Sequence, residues 1–169
     1  PMSCLGVLFA LNKWQVDALR AVPRPERPSY IAEGIEEDFF DHHREDLCEL
    51  DKSWDAMHRA LTGGTLRFGG SRPLSVIMGG EVLYGNRAGE EDYIAVLKPP
   101  DKVRKTLEAM EKLTEETLHK RYFAIPEADY GFPLSAEDFR YTYNYFRDSL
   151  PFWRWAAAPG RYVLFTADQ

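Results

Sequence analysis

Apolar residues fill three segments of the chain with few polar interruptions. In the first, Ser3 to Leu11 (SCLGVLFAL), residues of both parities are apolar, which predicts a β-strand that is covered on both faces. The segments 92–97 (DYIAVL) and 161–167 (RYVLFTA) are short runs of similar character. The pattern therefore predicts strands near both ends of the chain and one between them.

Elsewhere the apolar residues recur with helical spacing. Within 50–61 they are three or four residues apart, which predicts one helix face, and the double glycine at 63–64 predicts a left-handed stop. The residues of this face are Leu50, Trp54, Met57 and Leu61. Asn12 can cap a helix that runs to Val22, and its inward residues are predicted to be Trp14, Ala18 and Leu19.

Three further helices follow from the same pattern. Ile31, Ile35 and Phe39 are four residues apart, so the acidic segment around them is predicted to be an amphipathic helix with its carboxylates in water. Pro100 is expected at the first turn of a helix, and a second helix is expected over 114–123. After the capping sequence SAED at 135–138 comes an aromatic helix. Its inward stripe is predicted to be Phe139, Tyr143, Phe146, Leu150 and Trp153.

The negative charge of the chain is concentrated in one segment. The 169 residues carry a formal charge of −6, and residues 33–51 contain nine acids and one base, Arg44. That segment therefore carries −8 and the remainder carries +2. Nucleic-acid binding needs clustered Lys and Arg, which this distribution does not offer, so we expect no nucleic-acid partner.

The lack of a long apolar segment and the number of cysteines indicate in which cellular compartment the protein is expected. No segment approaches the ~20 apolar residues that a membrane-spanning helix needs, so we expect no membrane association. The two cysteines, Cys4 and Cys48, do not make a disulfide framework in a chain of this length. We interpret them as reduced thiols and expect a cytoplasmic protein.

Five short motifs follow one another along nearly the whole chain. They are MSCLG at 2–6, LDKSWDAMHRALTGG at 50–64, PLSVIMGGE at 73–81, VLKPPDKV at 96–103 and WRWAAAPG at 153–160. In this order they resemble the YfbM-like family of small bacterial proteins. The resemblance implies one α+β domain over 1–169, with a small, mainly antiparallel sheet and several helices packed against it. It implies no established reaction.

The helix at 50–62 holds the candidate catalytic residues. His58 follows Asp55 by three residues, so Asp55 could orient the imidazole and His58 could serve as a general base near pH 7. Glu81, after the Gly79–Gly80 turn, would complete a cleft. The structural alternative is that Trp54 anchors the helix in the core and His58 bonds to a loop carbonyl.

Other groups of polar residues favour structural interpretations. The glycine pair 79–80 lacks the lysine and the spacing of a phosphate-binding loop, so a tight turn is expected. His42 and His43 are adjacent on the predicted helix and point about 100° apart, which disfavours a shared metal ion. We therefore expect no metal and no cofactor.

These observations favour a non-enzymatic interaction protein, such as an immunity or antitoxin-like inhibitor of a basic protein. Clustered negative charge speeds association with a cationic partner. The expected partner-binding residues are Glu33, Glu36, Glu37, Asp38, Asp41, Glu45, Asp46 and Glu49. The alternative is a small hydrolase or transferase with a cleft around Asp55, His58 and Glu81.

Overall fold

The computed structural model describes residues 4–70 and 72–169, and in them five strands form one sheet. The strands are β1 (Gly6–Leu11), β2 (Leu47–Asp51), β3 (Glu81–Tyr84), β4 (Tyr93–Lys98) and β5 (Tyr162–Asp168). Their order across the sheet is β2-β1-β5-β4-β3, and every neighbouring pair is antiparallel. The predicted α+β fold with a mainly antiparallel sheet is confirmed.

Helices connect the strands and cover both faces of the sheet. They are α1 (Lys13–Ala21), α2 (Arg27–Tyr30), a π-helix (Ile31–Glu36), α3 (Glu37–His42), α4 (Trp54–Thr62), α5 (Pro100–Glu111), α6 (Glu115–Phe123), α7 (Glu127–Tyr130) and α8 (Ala136–Ala157). Short 3₁₀ turns span Arg24–Glu26 and Arg44–Asp46. Within the described residues, none of these helices combines the length and apolar character needed to cross a membrane.

The sheet separates two hydrophobic cores because its side chains alternate between faces. On one face, α4, α5, α6 and α8 cover Leu8, Val96 and Phe165. On the other face, α1, the π-helix and α3 cover Phe9, Leu97 and Leu164. All six residues of β1 are buried, as the apolar residues of both parities predicted, although Ser3 of that prediction lies outside the described residues.

The inward face of α1 differs from the prediction. Asn12 caps the helix as expected, in a capping box with Gln15, but the buried residues are Val16 and Leu19. Trp14 is 85% exposed and Ala18 is exposed as well. Val16 and Leu19 lie three residues apart on the side that meets the sheet, and this places Trp14 in solvent.

The acidic segment is helical only in its first half. Ile31, Ile35 and Phe39 are buried as predicted, on the π-helix and α3. The helix ends at His42, and residues 47–51 pair with β1 as the edge strand β2. Leu50, predicted on the helix that follows, therefore belongs to this strand, and α4 begins at Trp54.

Candidate functional site

His58 lies on α4 inside the protein, with 2% of its surface exposed. Its Nδ1 accepts a hydrogen bond from the backbone N–H of Met78 at 3.4 Å. Burial, with the nearby charges of Lys98 and Arg59, lowers the pKa of His58 to about 3. The imidazole is therefore neutral at pH 7, and it attaches the loop before β3 to α4 through a backbone N–H, not the carbonyl expected from the sequence.

The two carboxylates expected beside His58 are bound to arginines instead. Asp55 forms an ion pair with Arg59 one helical turn away, and Glu81 accepts a hydrogen bond from Arg20 at 2.7 Å. Arg20 belongs to α1, which packs on the opposite face of the sheet from α4. Among the described residues, Asp55, His58 and Glu81 are thus not brought into one cleft, because the sheet separates Glu81 from the other two.

The Gly79–Gly80 turn is occupied by the side chain of Lys98. Lys98 is fully buried, and its Nζ donates a hydrogen bond to the carbonyl oxygen of Gly79 at 2.6 Å. Burial lowers the pKa of Lys98 to about 7. A side chain on Gly80, whose φ is 129°, would lie 2.4 Å from the carbonyl oxygen of Leu97. The turn therefore serves close packing and accepts a hydrogen bond from a lysine of the same chain.

Most acids of the segment 33–51 form no ion pair with the described residues. Three of them have a basic side chain nearby: Asp38 beside His43, Asp46 beside Arg161, and Glu49 beside Arg44 at 3.5 Å. Asp46 also accepts a hydrogen bond from the indole N–H of Trp155 at 2.7 Å. The remaining expected partner-binding acids form no ion pair in the part of the chain that the structure describes. They are Glu33, Glu36, Glu37, Asp41 and Glu45.

His43, Glu45 and Asp46 have ligand-type atoms within 4.8 Å of one another. This cluster contains His43 but not the adjacent His42. Asp46 Oδ1 is already bound to Trp155 and Arg161, which fastens this turn to α8 and to the residue before β5. The cluster is accounted for by these structural contacts.

Where the acidic segment meets the sheet, a cavity of about 340 Å³ opens at the end of the second core. Its floor comes from side chains of one sheet face. The register pairs Val7 with both Glu49 and Thr166, so the alternation along β5 also places Asp168 on that face, and Asp51 reaches the cavity past a bulge in the pairing of β1 with β2. Ala32 and Glu36 of the π-helix and Phe40 of α3 form its roof.

We call this cavity the acidic pocket, after its four carboxylates. They belong to Glu36 of the π-helix, Glu49 and Asp51 of β2, and Asp168 of β5. Glu49 faces Arg44, and the other three have no ion-pair partner within the described residues. Four like charges around one cavity make it strongly attractive to a cation.

Burial and like charges already act on the groups in this pocket. Burial raises the pKa of the Glu36 carboxyl, and the charges of Asp168 and Glu37 raise it further. Burial also raises the pKa of Tyr93, as do Glu36 and Asp168, whereas the nearby Thr166 hydroxyl lowers it in part. Both directions mean that negative charge is disfavoured here unless a positive group arrives.

Sequence reasoning identified Glu36 and Glu49 but missed the strand residues of the pocket. Tyr93, Thr166 and Asp168 are far from the acidic segment in sequence and meet it only through the register of β1, β5 and β4. One local signal was present, because Asp168 ends an apolar strand and Asp92 precedes Tyr93 at the start of another.

A second cavity, of about 510 Å³, is lined by Trp54, Asp55, Tyr130, Asp138 and other residues. Asp138 Oδ2 accepts hydrogen bonds from the hydroxyls of Tyr122 at 2.6 Å and Tyr130 at 2.8 Å. These bonds join α6, α7 and α8. The carboxylate in this cavity is therefore committed to holding helices together.

Comparisons with known proteins agree with the fold. The sequence model of a domain of unknown function, DUF1877, matches residues 2–166. The chain is also similar to the crystal structure of YfbM from Escherichia coli, a protein of unknown function, with 19% identity and a TM-score of 0.66 over 96% of this chain and 99% of that one. No curated protein matches the chain. The resemblance to the YfbM-like family is confirmed.

Proposed function

This chain belongs to the DUF1877 family of unknown function, and we propose that it is a protein-binding module whose acidic segment docks onto a basic protein partner. In this proposal it acts as an immunity or antitoxin-like inhibitor, because carboxylates can occupy the place of phosphates in a basic cleft. The observation that carries the proposal is a set of carboxylates that form no ion pair with any residue the structure describes, at Glu33, Glu36, Glu37, Asp41 and Glu45.

The physical argument concerns the rate of association. Opposite charges outside the contact area attract over about a Debye length, which is about 10 Å at 0.1 M salt. Such steering raises association rates by about 10- to 1,000-fold. Glu33, Glu37 and Asp41 are exposed and separated by one helical turn each, so they present a row of charge to an approaching partner.

As part of the proposal, we place this encounter in the cytoplasm. Cys4 and Cys48 are free thiols, and burial raises the pKa of Cys48 to about 12, which keeps it in the unreactive protonated form. A fold that contains two free cysteines suits a reducing compartment.

The test is capture of partners from extracts of the native host at low salt and at about 1 M salt, where the Debye length is about 3 Å. We expect a basic protein that is released at high salt. The captured protein is then purified and its association rate measured by stopped flow against the triple variant Glu33→Lys, Glu37→Lys, Asp41→Lys. We expect a fall in that rate of at least about tenfold, with a smaller change in dissociation.

The matched control carries the same change in net charge elsewhere. Glu108, Glu116 and Glu137 are exposed acids on α5, α6 and α8. If their replacement by Lys slows association as much as the first triple variant does, the acidic segment has no special part in docking. Capture of no basic protein at either salt concentration would count directly against the proposed function.

A further inference from the structure

We propose that the acidic pocket binds a guanidinium group, presented by an arginine side chain of the basic partner. The inference rests on the proposed function and names the group that the partner must supply. It assigns to the acidic segment a recessed anchoring site in addition to its exposed, steering charges.

A buried tyrosine hydroxyl at this cavity lacks a close partner among the described residues. Tyr93 lines the acidic pocket with 9% of its surface exposed, and its hydroxyl has no hydrogen-bond partner within 3.5 Å in that part of the chain, although the Thr166 side chain lies near enough to lower its pKa. The charges that act on this hydroxyl are those of Glu36 and Asp168, which line the same pocket. A buried polar atom without a partner is costly, and an N–H donor brought by a ligand would satisfy it.

The charge of the pocket selects a cation. Arg44 offsets Glu49 at 3.5 Å, but Glu36, Asp51 and Asp168 have no cation of their own within the described residues. A monovalent organic cation reduces the mutual repulsion of these carboxylates and donates N–H hydrogen bonds to their oxygens. Charge-assisted bonds of this kind are roughly twice as strong as neutral ones.

The walls of the pocket favour an organic cation over a metal ion. Val7, Phe40 and Tyr145 line it beside the carboxylates, so an alkyl stem and a planar group find apolar contact there. A volume of about 340 Å³ falls within the range of about 300–1,000 Å³ that is typical of small-molecule sites. A calcium ion would instead need six to eight oxygen ligands at about 2.3–2.6 Å.

Guanidinium fits this environment better than ammonium. It is planar, carries five N–H donors in a fixed fork, is weakly hydrated and stacks on aromatic rings. The acidic pocket offers carboxylates on several sides and tyrosine and phenylalanine rings between them. Lysine would bring three donors on a strongly hydrated point charge.

Two uncommon backbone conformations occur among the residues that line the pocket. Asp51 has a φ of 52°, a left-handed conformation that non-glycine residues rarely adopt, and Ala32 and Glu36 project from a π-helix. Both features are uncommon and are enriched at binding sites. They support the inference that this end of the sheet is shaped for a ligand.

The test begins with a titration of the whole chain by N-acetyl-arginine amide, followed by calorimetry or by NMR shifts. The same titration uses the citrulline compound, a neutral isostere, and the lysine compound. We expect binding of the arginine compound, weaker binding of the lysine compound and none of the citrulline compound. Binding of citrulline equal to that of arginine would overturn the inference.

Variants then locate the site. Glu36→Gln is expected to weaken binding of the arginine compound by about tenfold or more, because it removes a charge-assisted bond, and Tyr93→Phe by about two- to tenfold. Asp51→Asn is a second charge variant that keeps the backbone conformation. The matched controls are Glu91→Gln, an exposed acid outside the pocket, and Tyr84→Phe, a tyrosine on the neighbouring β3 with the same exposure as Tyr93. Thermal unfolding checks that every variant is folded.

The two proposals fail in different ways. Unchanged affinity in both Glu36→Gln and Tyr93→Phe overturns the pocket inference. A partner that is lost by the triple reversal at 33, 37 and 41 but retained by the pocket variants overturns it too, and leaves the proposed function standing. If the arginine compound binds but no basic protein is captured from the host extract, the pocket stands, whereas the proposed function and the partner as the source of the guanidinium are overturned.

Discussion

At the scale of single residues, folding brings together in the acidic pocket carboxylates that are far apart in the unfolded chain. Glu36 is the clearest case, because burial and the charges of Asp168 and Glu37 raise the pKa of its carboxyl in the folded protein. Glu49 and Asp51 face the same cavity and add negative charge, while Tyr93 and Tyr145 are neutral at pH 7. Folding therefore disfavours the charged form of Glu36 relative to the unfolded chain.

This preference predicts a stabilising substitution. Because the folded pKa of Glu36 is raised, its contribution to stability is fully present below the unfolded value of about 4.3 and is lost as pH rises through the folded value. Glu36→Gln removes the charge at all pH values, so we expect it to raise the free energy of unfolding by about 0.5–1 kcal/mol at pH 7 and to have little effect near pH 4. Urea unfolding at both pH values measures this. A loss of stability at pH 7 would contradict the account, and Glu91→Gln is the control.

His58 is expected to make the protein less stable in acid, because folding lowers the pKa of this residue, whereas it raises that of Glu36. Its pKa is about 3 in the folded protein and about 6.5 when unfolded, so the unfolded chain binds the extra proton between these values. Stability should fall by about 1.4 kcal/mol per pH unit from this residue as pH drops through that window. His58→Gln keeps a hydrogen-bond acceptor for Met78 and should flatten the pH profile. An equal flattening by His42→Gln, which replaces an exposed histidine, would assign the effect elsewhere.

At the scale of elements, periodicity predicted helices well where the apolar stripe was long. The aromatic stripe of α8 is confirmed, with Phe139, Phe146 and Trp153 buried over the 22 residues of this helix. In α1, with nine residues, Trp14 and Val16 offered competing inward faces, and the approach of the helix to the sheet decided between them. Strand β2 was missed because its acids suited an exposed helix equally well, and its pairing with β1 is a long-range choice.

The corrected face of α1 has a measurable consequence. Leu19 is fully buried and Trp14 is 85% exposed, so Leu19→Ala should cost about 2–5 kcal/mol of unfolding free energy. Trp14→Gln should change it by less than about 0.5 kcal/mol. Chemical denaturation of the two variants compares them directly, and a larger cost at Trp14 would mean that the helix is rotated.

At the scale of the whole molecule, the fold was predictable and the pocket was not. Local patterns are sufficient for strands, helices and an α+β class, since each depends on neighbouring residues. The acidic pocket combines Glu36 of the π-helix with Glu49, Tyr93 and Asp168 of three strands, and only the register of the sheet brings them together. The catalytic hypothesis was misleading for the same reason, because the sheet lies between Glu81 and α4.

The central position of β1 and β5 in the sheet determines when the protein can fold during its synthesis. Residues 6–11 leave the ribosome long before the strand 162–168, which is their neighbour in the sheet, so β1 waits until that strand has been made before it is flanked on both sides. Until then the backbone N–H and C=O groups along one edge of this apolar strand are open to unwanted pairing. Nascent chains halted before residue 162 should accordingly engage chaperones and remain sensitive to protease.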